Sequence, residues 1–180
     1  MSTAPKYRPH YTVADYEKWS GDGELWQGTA VAMTPSPFGQ HQYVLVNLVS
    51  ELRAGCSGSD WRVLAEIDWR IDESTVVRPD AMILVGDIPE RHVERTPLLV
   101  AEILSASTAE KDRNAKFDLY CEQGVPHYLI LDPTHQTLDH FVLRDSIPNH
   151  QYQRVPAESH LQIGGGGEHQ FNIEVSKLFS

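Results

Sequence analysis

Hydrophobic and polar positions alternate most cleanly between 61 and 71. Trp61, Val63, Ala65, Ile67, Trp69 and Ile71 stand in step, with Arg62, Glu66, Asp68 and Arg70 between them and only Leu64 out of pattern. A two-residue period predicts one strand with an apolar face and a charged face. Between 38 and 54 the period changes: Val44, Leu45, Leu48, Val49 and Leu52 recur at three- and four-residue steps, the stripe of an amphipathic helix that Gly55 ends. His41 lies one turn before Val44 and Leu45, at the edge of that stripe. Two apolar runs without alternation, 81–85 and 97–103, predict strands covered on both faces, joined by a charged loop over 86–96. Ser107 and Glu110 have capping-box spacing and open a helix to about Gln123, with Gly124 and Pro126 as its stop. His127-Tyr-Leu-Ile-Leu-Asp is the next strand, and 138–143 returns after the Asp132-Pro133 turn.

The ends of the chain are less patterned. Thr12 caps a short helix over 13–19, and two short strands flank Gly28 before the Thr-Pro-Ser-Pro stretch at 34–37. Residues 144–180 read as polar, with glycines at 164–167 and one late strand-like segment, Phe171-Asn-Ile-Glu-Val.

Composition narrows the class. A chain of 180 residues with 41% hydrophobic and 22% charged residues can bury a core without disulfide or metal staples. Cys56 and Cys121 are far apart and in no metal-ligand spacing, the usage of a reduced, cytoplasmic protein. No apolar run approaches the roughly 18 residues of a membrane span, and the N-terminus lacks an apolar signal core, so no membrane role is expected.

The candidate chemistry lies in the two apolar strands. If 80–85 and 97–103 pair antiparallel with Val85 opposite Leu98, Asp80 falls opposite Ile103 and within one residue of Glu102. Opposed residues have Cα atoms only ~4.5–5.5 Å apart, where two carboxylates repel. A divalent cation, Mg²⁺ or Mn²⁺, removes that conflict. In the following helix Asp112 and Lys116 share a face. A lysine leaning over the carboxylates could orient an attacking water or stabilise charge on a phosphate.

Several strings occur in the order of one bacterial family: Glu24-Leu-Trp-Gln-Gly, Arg78-Pro79-Asp80, Glu102-Ile-Leu-Ser-Ala-Ser-Thr, Asp112 with Lys116 and Tyr120, and Gly124-Val-Pro-His-Tyr-Leu-Ile-Leu-Asp-Pro133. The chain resembles the Uma-type restriction-endonuclease group, a former domain-of-unknown-function family in the PD-(D/E)xK nuclease superfamily. The resemblance covers a nuclease domain over 10–145 and leaves 146–180 as an extension with a Gly-rich loop and a possible extra strand. It implies an α/β (α+β) restriction-endonuclease-like fold, a mixed central sheet flanked by helices. It also implies a metal held by Asp80, Glu102 and the Ile103 carbonyl, and a DNA endonuclease acting as a homodimer. Position 104, where the superfamily places its lysine, is leucine, so the resemblance makes Lys116 the substitute. Glu24 corresponds to an acid that some members place beside the metal, and His41 to a family histidine without an assigned role.

Structural readings compete with these. Asp80 after a proline is a common turn residue, and Lys116 with Asp112 could be an exposed helix pair. Glu102 is harder to explain away, because carboxylates seldom sit unpaired in an apolar strand. Glu66 and Asp68 read as a solvated strand face, with Glu66 a minor candidate for the metal neighbourhood. The nine histidines have no zinc spacing, and the glycine run lacks the Gly-Lys-Ser/Thr ending of a phosphate loop. The net charge of −10 weighs against phosphate binding and for the alternative, a nuclease-fold interaction module without catalysis. A hydrolase of small phosphoesters is the third possibility.

Overall fold

The computed structural model describes residues 9–33, 39–105, 108–146, 149–157, 159–164 and 169–180. In chain order the elements are α1 (Val13–Tyr16), β1 (Gly23–Trp26), β2 (Thr29–Ala32), α2 (Gly39–Gly55), β3 (Trp61–Ala65), β4 (Trp69–Asp72), β5 (Thr75–Val77), β6 (Ala81–Val85), β7 (Leu99–Ile103), α3 (Ala109–Arg113), α4 (Ala115–Glu122), β8 (His127–Asp132), β9 (Thr137–Ser146), β10 (Asn149–Val155), β11 (His160–Gly164), β12 (Gln170–Glu174) and α5 (Ser176–Phe179). The central sheet has six strands in the order β10-β9-β8-β7-β6-β3, and its one parallel pair is β7 with β8. Parallel neighbours need a crossover, which α3 and α4 supply. A four-stranded antiparallel sheet, β2-β1-β5-β4, and the β11-β12 hairpin complete the α+β fold.

Side-chain alternation sorts the core into two layers. Ala81 and Ile83 of β6, Leu99, Ala101 and Ile103 of β7, and Leu129 and Leu131 of β8 pack with Leu45, Leu48 and Leu52 of α2. Leu161, Ile163, Ile173 and Leu178, from β11, β12 and α5, belong to this same layer. Met82, Leu84, Val100, Tyr128 and Ile130 point the other way, onto Tyr120 of α4 and Trp69 and Val77 of the smaller sheet. Both faces of β6 and β7 are therefore covered, as their unbroken apolar runs require.

The single strand expected over 61–71 is two strands in different sheets. Glu66 breaks it with φ +50, and its N–H bonds the Asp80 carbonyl at 3.1 Å. Trp61 and Val63 belong to the α2 layer, whereas Ile67, Trp69 and Ile71 belong to the α4 layer. A two-residue period runs through such a crossover without registering it. Leu64, the misfit, packs in the second layer and so covers the other face of β3.

The 107–123 helix is likewise two. Asn114 sits at φ −122 and ψ −78, with its side-chain amide donating to the Glu110 carbonyl at 2.9 Å. Asparagine offers the backbone an alternative to the helical ladder. Ser107, the expected cap, lies outside the described residues, as do 34–38 and 165–168 of the Pro-Ser and glycine stretches. Gly28 shows why the β1-β2 turn needs glycine: φ is +78, and an added Cβ would collide with the His10 ring.

A buried pair, His127 and His140, ties β8 and β9 to the hairpin. His127 Nδ1 lies 2.9 Å from His140 Nε2, and His127 Nε2 lies 2.7 Å from the Gly164 carbonyl. Burial, with His127 beside it, pulls His140 from the ordinary 6.5 down to about 4. Between those values the unfolded chain binds the extra proton, so the contribution is present above 6.5 and is lost as pH falls toward 4. Wild type is expected to lose on the order of 2–3 kcal/mol between pH 7 and 4.5 from this group. Urea titrations across that range check it, with a shallower slope expected for His140→Leu.

Candidate active site

Alternation and register together determine where the acids point. Val100 of β7 faces α4, so Glu102, two residues on, faces α4 as well. The β6-β7 ladder pairs Ala81 with Ala101 and Ile83 with Leu99, which carried one step further sets Asp80 opposite Glu102. This differs by one residue from the register expected above, Val85 with Leu98. The connecting loop docks on β4 through Val93, whose N–H bonds the Asp68 carbonyl at 2.8 Å, and the β6-β7 ladder begins only at Ile83.

Asp80, Glu102, Ile103, Lys116, Glu24, His41 and Asp112 line one cavity of about 160 Å³. Asp80 Oδ2 accepts the Ile103 N–H at 2.6 Å and stands 3.3 Å from His41 Nε2. The sharing of Ile103 ties the Asp80 carboxylate to the end of β7. Lys116 donates to Glu102 Oε1 at 2.7 Å, and the Tyr120 hydroxyl donates to the same oxygen at 2.7 Å. Lys116 and Tyr120 are four apart on α4, one face of one helix. Lys116 Nζ is also 3.5 Å from Glu24 Oε1 and 3.6 Å from Asp112 Oδ1. Lys116 and Asp112 are both buried, so they are not the exposed pair of the structural reading.

Glu24 is anchored by groups far away in sequence. Its carboxylate takes the Lys111 ammonium at 2.5 Å, the Trp26 indole N–H at 2.9 Å and the Arg78 backbone N–H at 2.9 Å. Burial alone would raise it, but Lys116 and Lys111 outweigh burial and hold it at about 2. Glu102 goes the other way: burial pushes it well above its ordinary range, Lys116 pulls it back, and Asp112 and Asp80 push again. Burial raises Asp112 too, against Lys116. Lys116 is held above its ordinary value, because Glu102, Glu24 and Asp112 outweigh its burial. Burial pulls His41 down, and Asp80 with Glu66 more than reverses it. Glu66 is exposed and does not line the cavity.

Four carboxylates face two ammonium groups and the Arg78 guanidinium here, an excess of one negative charge when all four acids are ionised and His41 is neutral. Asp112 Oδ1 and His41 Nδ1 are buried with no hydrogen-bond partner among the described residues. Also among the described residues, no three His, Cys, Asp or Glu side chains converge on one metal-sized point. Tyr120, Trp26 and Arg78 also bond the site's acids, and the sequence alone assigns them no role. Tyr120 was findable by its four-residue step from Lys116. Trp26 and Arg78 stand in the family strings, but no periodicity or spacing marks what they do.

The fold is that of an α+β protein built on a mixed central sheet. It is similar to the crystal structure of a putative nuclease belonging to DUF820 from Anabaena variabilis, with a TM-score of 0.70, 16% identity, and coverage of 93% of this chain and 97% of that one. At that identity the likeness is one of fold. Residues 13–168 match the Uma2 family, described as "Putative restriction endonuclease", and the chain belongs to that family. No curated protein matches it. No helix among the described residues is long and apolar enough to cross a membrane.

Proposed function

We propose that the chain is a divalent-cation-dependent nuclease that hydrolyses phosphodiester bonds in DNA, with Asp80 and Glu102 holding Mg²⁺ or Mn²⁺. One observation carries this reading. Two carboxylates from adjacent strand ends, the Ile103 backbone and a buried lysine line one small cavity whose negative charge is not balanced. The donor set fits the ion: hard oxygens from Asp80, Glu102 and the Ile103 carbonyl suit Mg²⁺ or Mn²⁺, and among the described residues no cysteine or histidine cluster suits zinc. A bound divalent cation would acidify water and offset charge on the phosphate.

The remaining work falls to the chain's own residues. Tyr120 and Lys116 both donate to Glu102 Oε1, which orients the carboxylate and leaves Oε2 for the cation. Lys116 also brings positive charge to a phosphate in the cavity. Lys111, less buried than Lys116, is pinned by Glu24 at the cavity wall, where it can meet a phosphate oxygen. Cutting both strands of a duplex calls for two such centres, hence a homodimer on DNA.

A second reading, an interaction module, is favoured by Leu104, which packs in the apolar layer where the superfamily's lysine would stand. Plasmid and single-stranded DNA incubated with Mg²⁺, Mn²⁺ or EDTA separate the two. Cation-dependent cleavage is expected. No cleavage, together with no calorimetric cation binding, would establish the interaction module. Turnover of a chromogenic phosphodiester exceeding that of DNA would point to a small phosphoester instead.

A further inference from the structure

A second cavity, of about 280 Å³, opens beside the first. Its wall carries the rings of Tyr16 and Trp19 together with Arg70, Arg78, Arg91 and His92. Three of the chain's ten arginines thus gather in one pocket of a protein with net charge −10. Two carboxylates, Glu17 and Asp68, also line it. Asp68 is committed: the Tyr16 hydroxyl lies 2.9 Å from it and Arg78 Nε donates to it at 2.7 Å.

The rings are held in place. Trp19 packs edge-on against Tyr11 and Tyr16, with centroids 5.4 and 5.3 Å apart. Arg70 is engaged with Glu73 and His92 with Glu94. Arg91 is exposed and has no hydrogen bond or ion pair among the described residues, so its guanidinium is available. Fixed aromatic rings beside an available guanidinium are the elements that bind single-stranded nucleic acid: bases stack on the rings while cations meet the backbone.

Arg78 lines both cavities. Asp80 follows two residues later, roughly 6.6 Å along extended chain. A strand whose phosphate meets Asp80 and Glu102 therefore brings a neighbouring nucleotide to the aromatic pocket. Resting on the nuclease reading, we propose that this pocket receives an unpaired base of the substrate strand next to the cleaved phosphate, and that Arg91 takes the adjoining phosphate. The preferred substrate is then single-stranded, frayed or flipped DNA, because a base stacked in a duplex cannot reach the rings.

The test is fluorescence anisotropy in EDTA with a labelled oligodeoxythymidylate and a blunt hairpin duplex. Wild type is expected to bind the single strand more tightly than the duplex, with quenching of tryptophan emission. Arg91→Ala, at an exposed position, and Trp19→Ala are each expected to weaken single-strand binding about fivefold or more. Should Trp19→Ala fail to fold, Arg91→Ala and the quenching still decide. No binding of the oligonucleotide, or binding unchanged in Arg91→Ala, overturns the pocket. Cation-dependent plasmid cleavage in that same preparation would show that the nuclease reading survives it. Binding that follows the expectation in a protein that cleaves nothing would instead retain the base pocket and remove the nuclease reading.

Discussion

Asp80→Asn is expected to abolish cation-dependent cleavage while leaving the fold intact. Asparagine is nearly isosteric, and its side-chain carbonyl can still accept the Ile103 N–H that Asp80 Oδ2 accepts at 2.6 Å. What it removes is a negative charge and one hard oxygen donor beside Glu102. Loss of the cation's contribution to the transition state, several kcal/mol, corresponds to a drop on the order of 1,000-fold in cleavage rate. Thermal melting should shift little, since relief of repulsion with Glu102 offsets the weakened contact with His41 Nε2. Rates for wild type and variant at saturating Mg²⁺, beside their melting curves, check both halves. An active Asp80→Asn protein would remove Asp80 from the chemistry.

Lys116→Met has the largest expected effect on stability. The Lys116 ammonium is the shared cation of Glu102, Glu24 and Asp112, at 2.7, 3.5 and 3.6 Å, and all four side chains are buried. Breaking a buried ionic cluster by removing one partner costs about 3–5 kcal/mol, because the charges left behind cannot recover their solvation. Methionine keeps the apolar stem's packing, so the loss reports the charge. The pH dependence follows from direction. Glu102 and Asp112 are raised even with the lysine present. Without it they rise further, and a raised carboxyl contributes stability below its unfolded value that is lost as pH climbs through its folded value. The variant should therefore recover part of its deficit on acidification from pH 7 to 5. Urea unfolding at both pH values measures this. An equal deficit at both would indicate that packing and not charge was lost.

The acids were legible for a physical reason. A glutamate inside Leu-Leu-Val-Ala-Glu-Ile stands out because an apolar strand tolerates a carboxylate only with a partner, and Asp80 opens the neighbouring apolar run. That Glu102 faces α4 comes from the structure, since an unbroken apolar run does not distinguish its two faces. What alternation could not convey was which sheet a strand joins, so the crossing at Glu66 was invisible. The register differs by one residue from the expected one because the loop docks through Val93 on β4, a strand that alternation alone does not separate from β3. Glu24 was reachable only through resemblance, since its partners Arg78 and Lys111 lie 54 and 87 residues away. The β11-β12 hairpin is only half legible: Phe171 and Ile173 mark β12, whereas β11 offers just Leu161 and Ile163 in alternation. Its apolar side chains nonetheless complete the layer over α2.

A divalent ion shared by two strand-end acids is the claim on which the chemistry rests, and anomalous diffraction from crystals soaked in Mn²⁺ measures it directly. One strong peak in contact with the carboxylates of Asp80 and Glu102, absent from Asp80→Asn crystals, is the predicted result. A peak elsewhere on the chain, or none there with Lys116 still seated against Glu102 at saturating Mn²⁺, would contradict it.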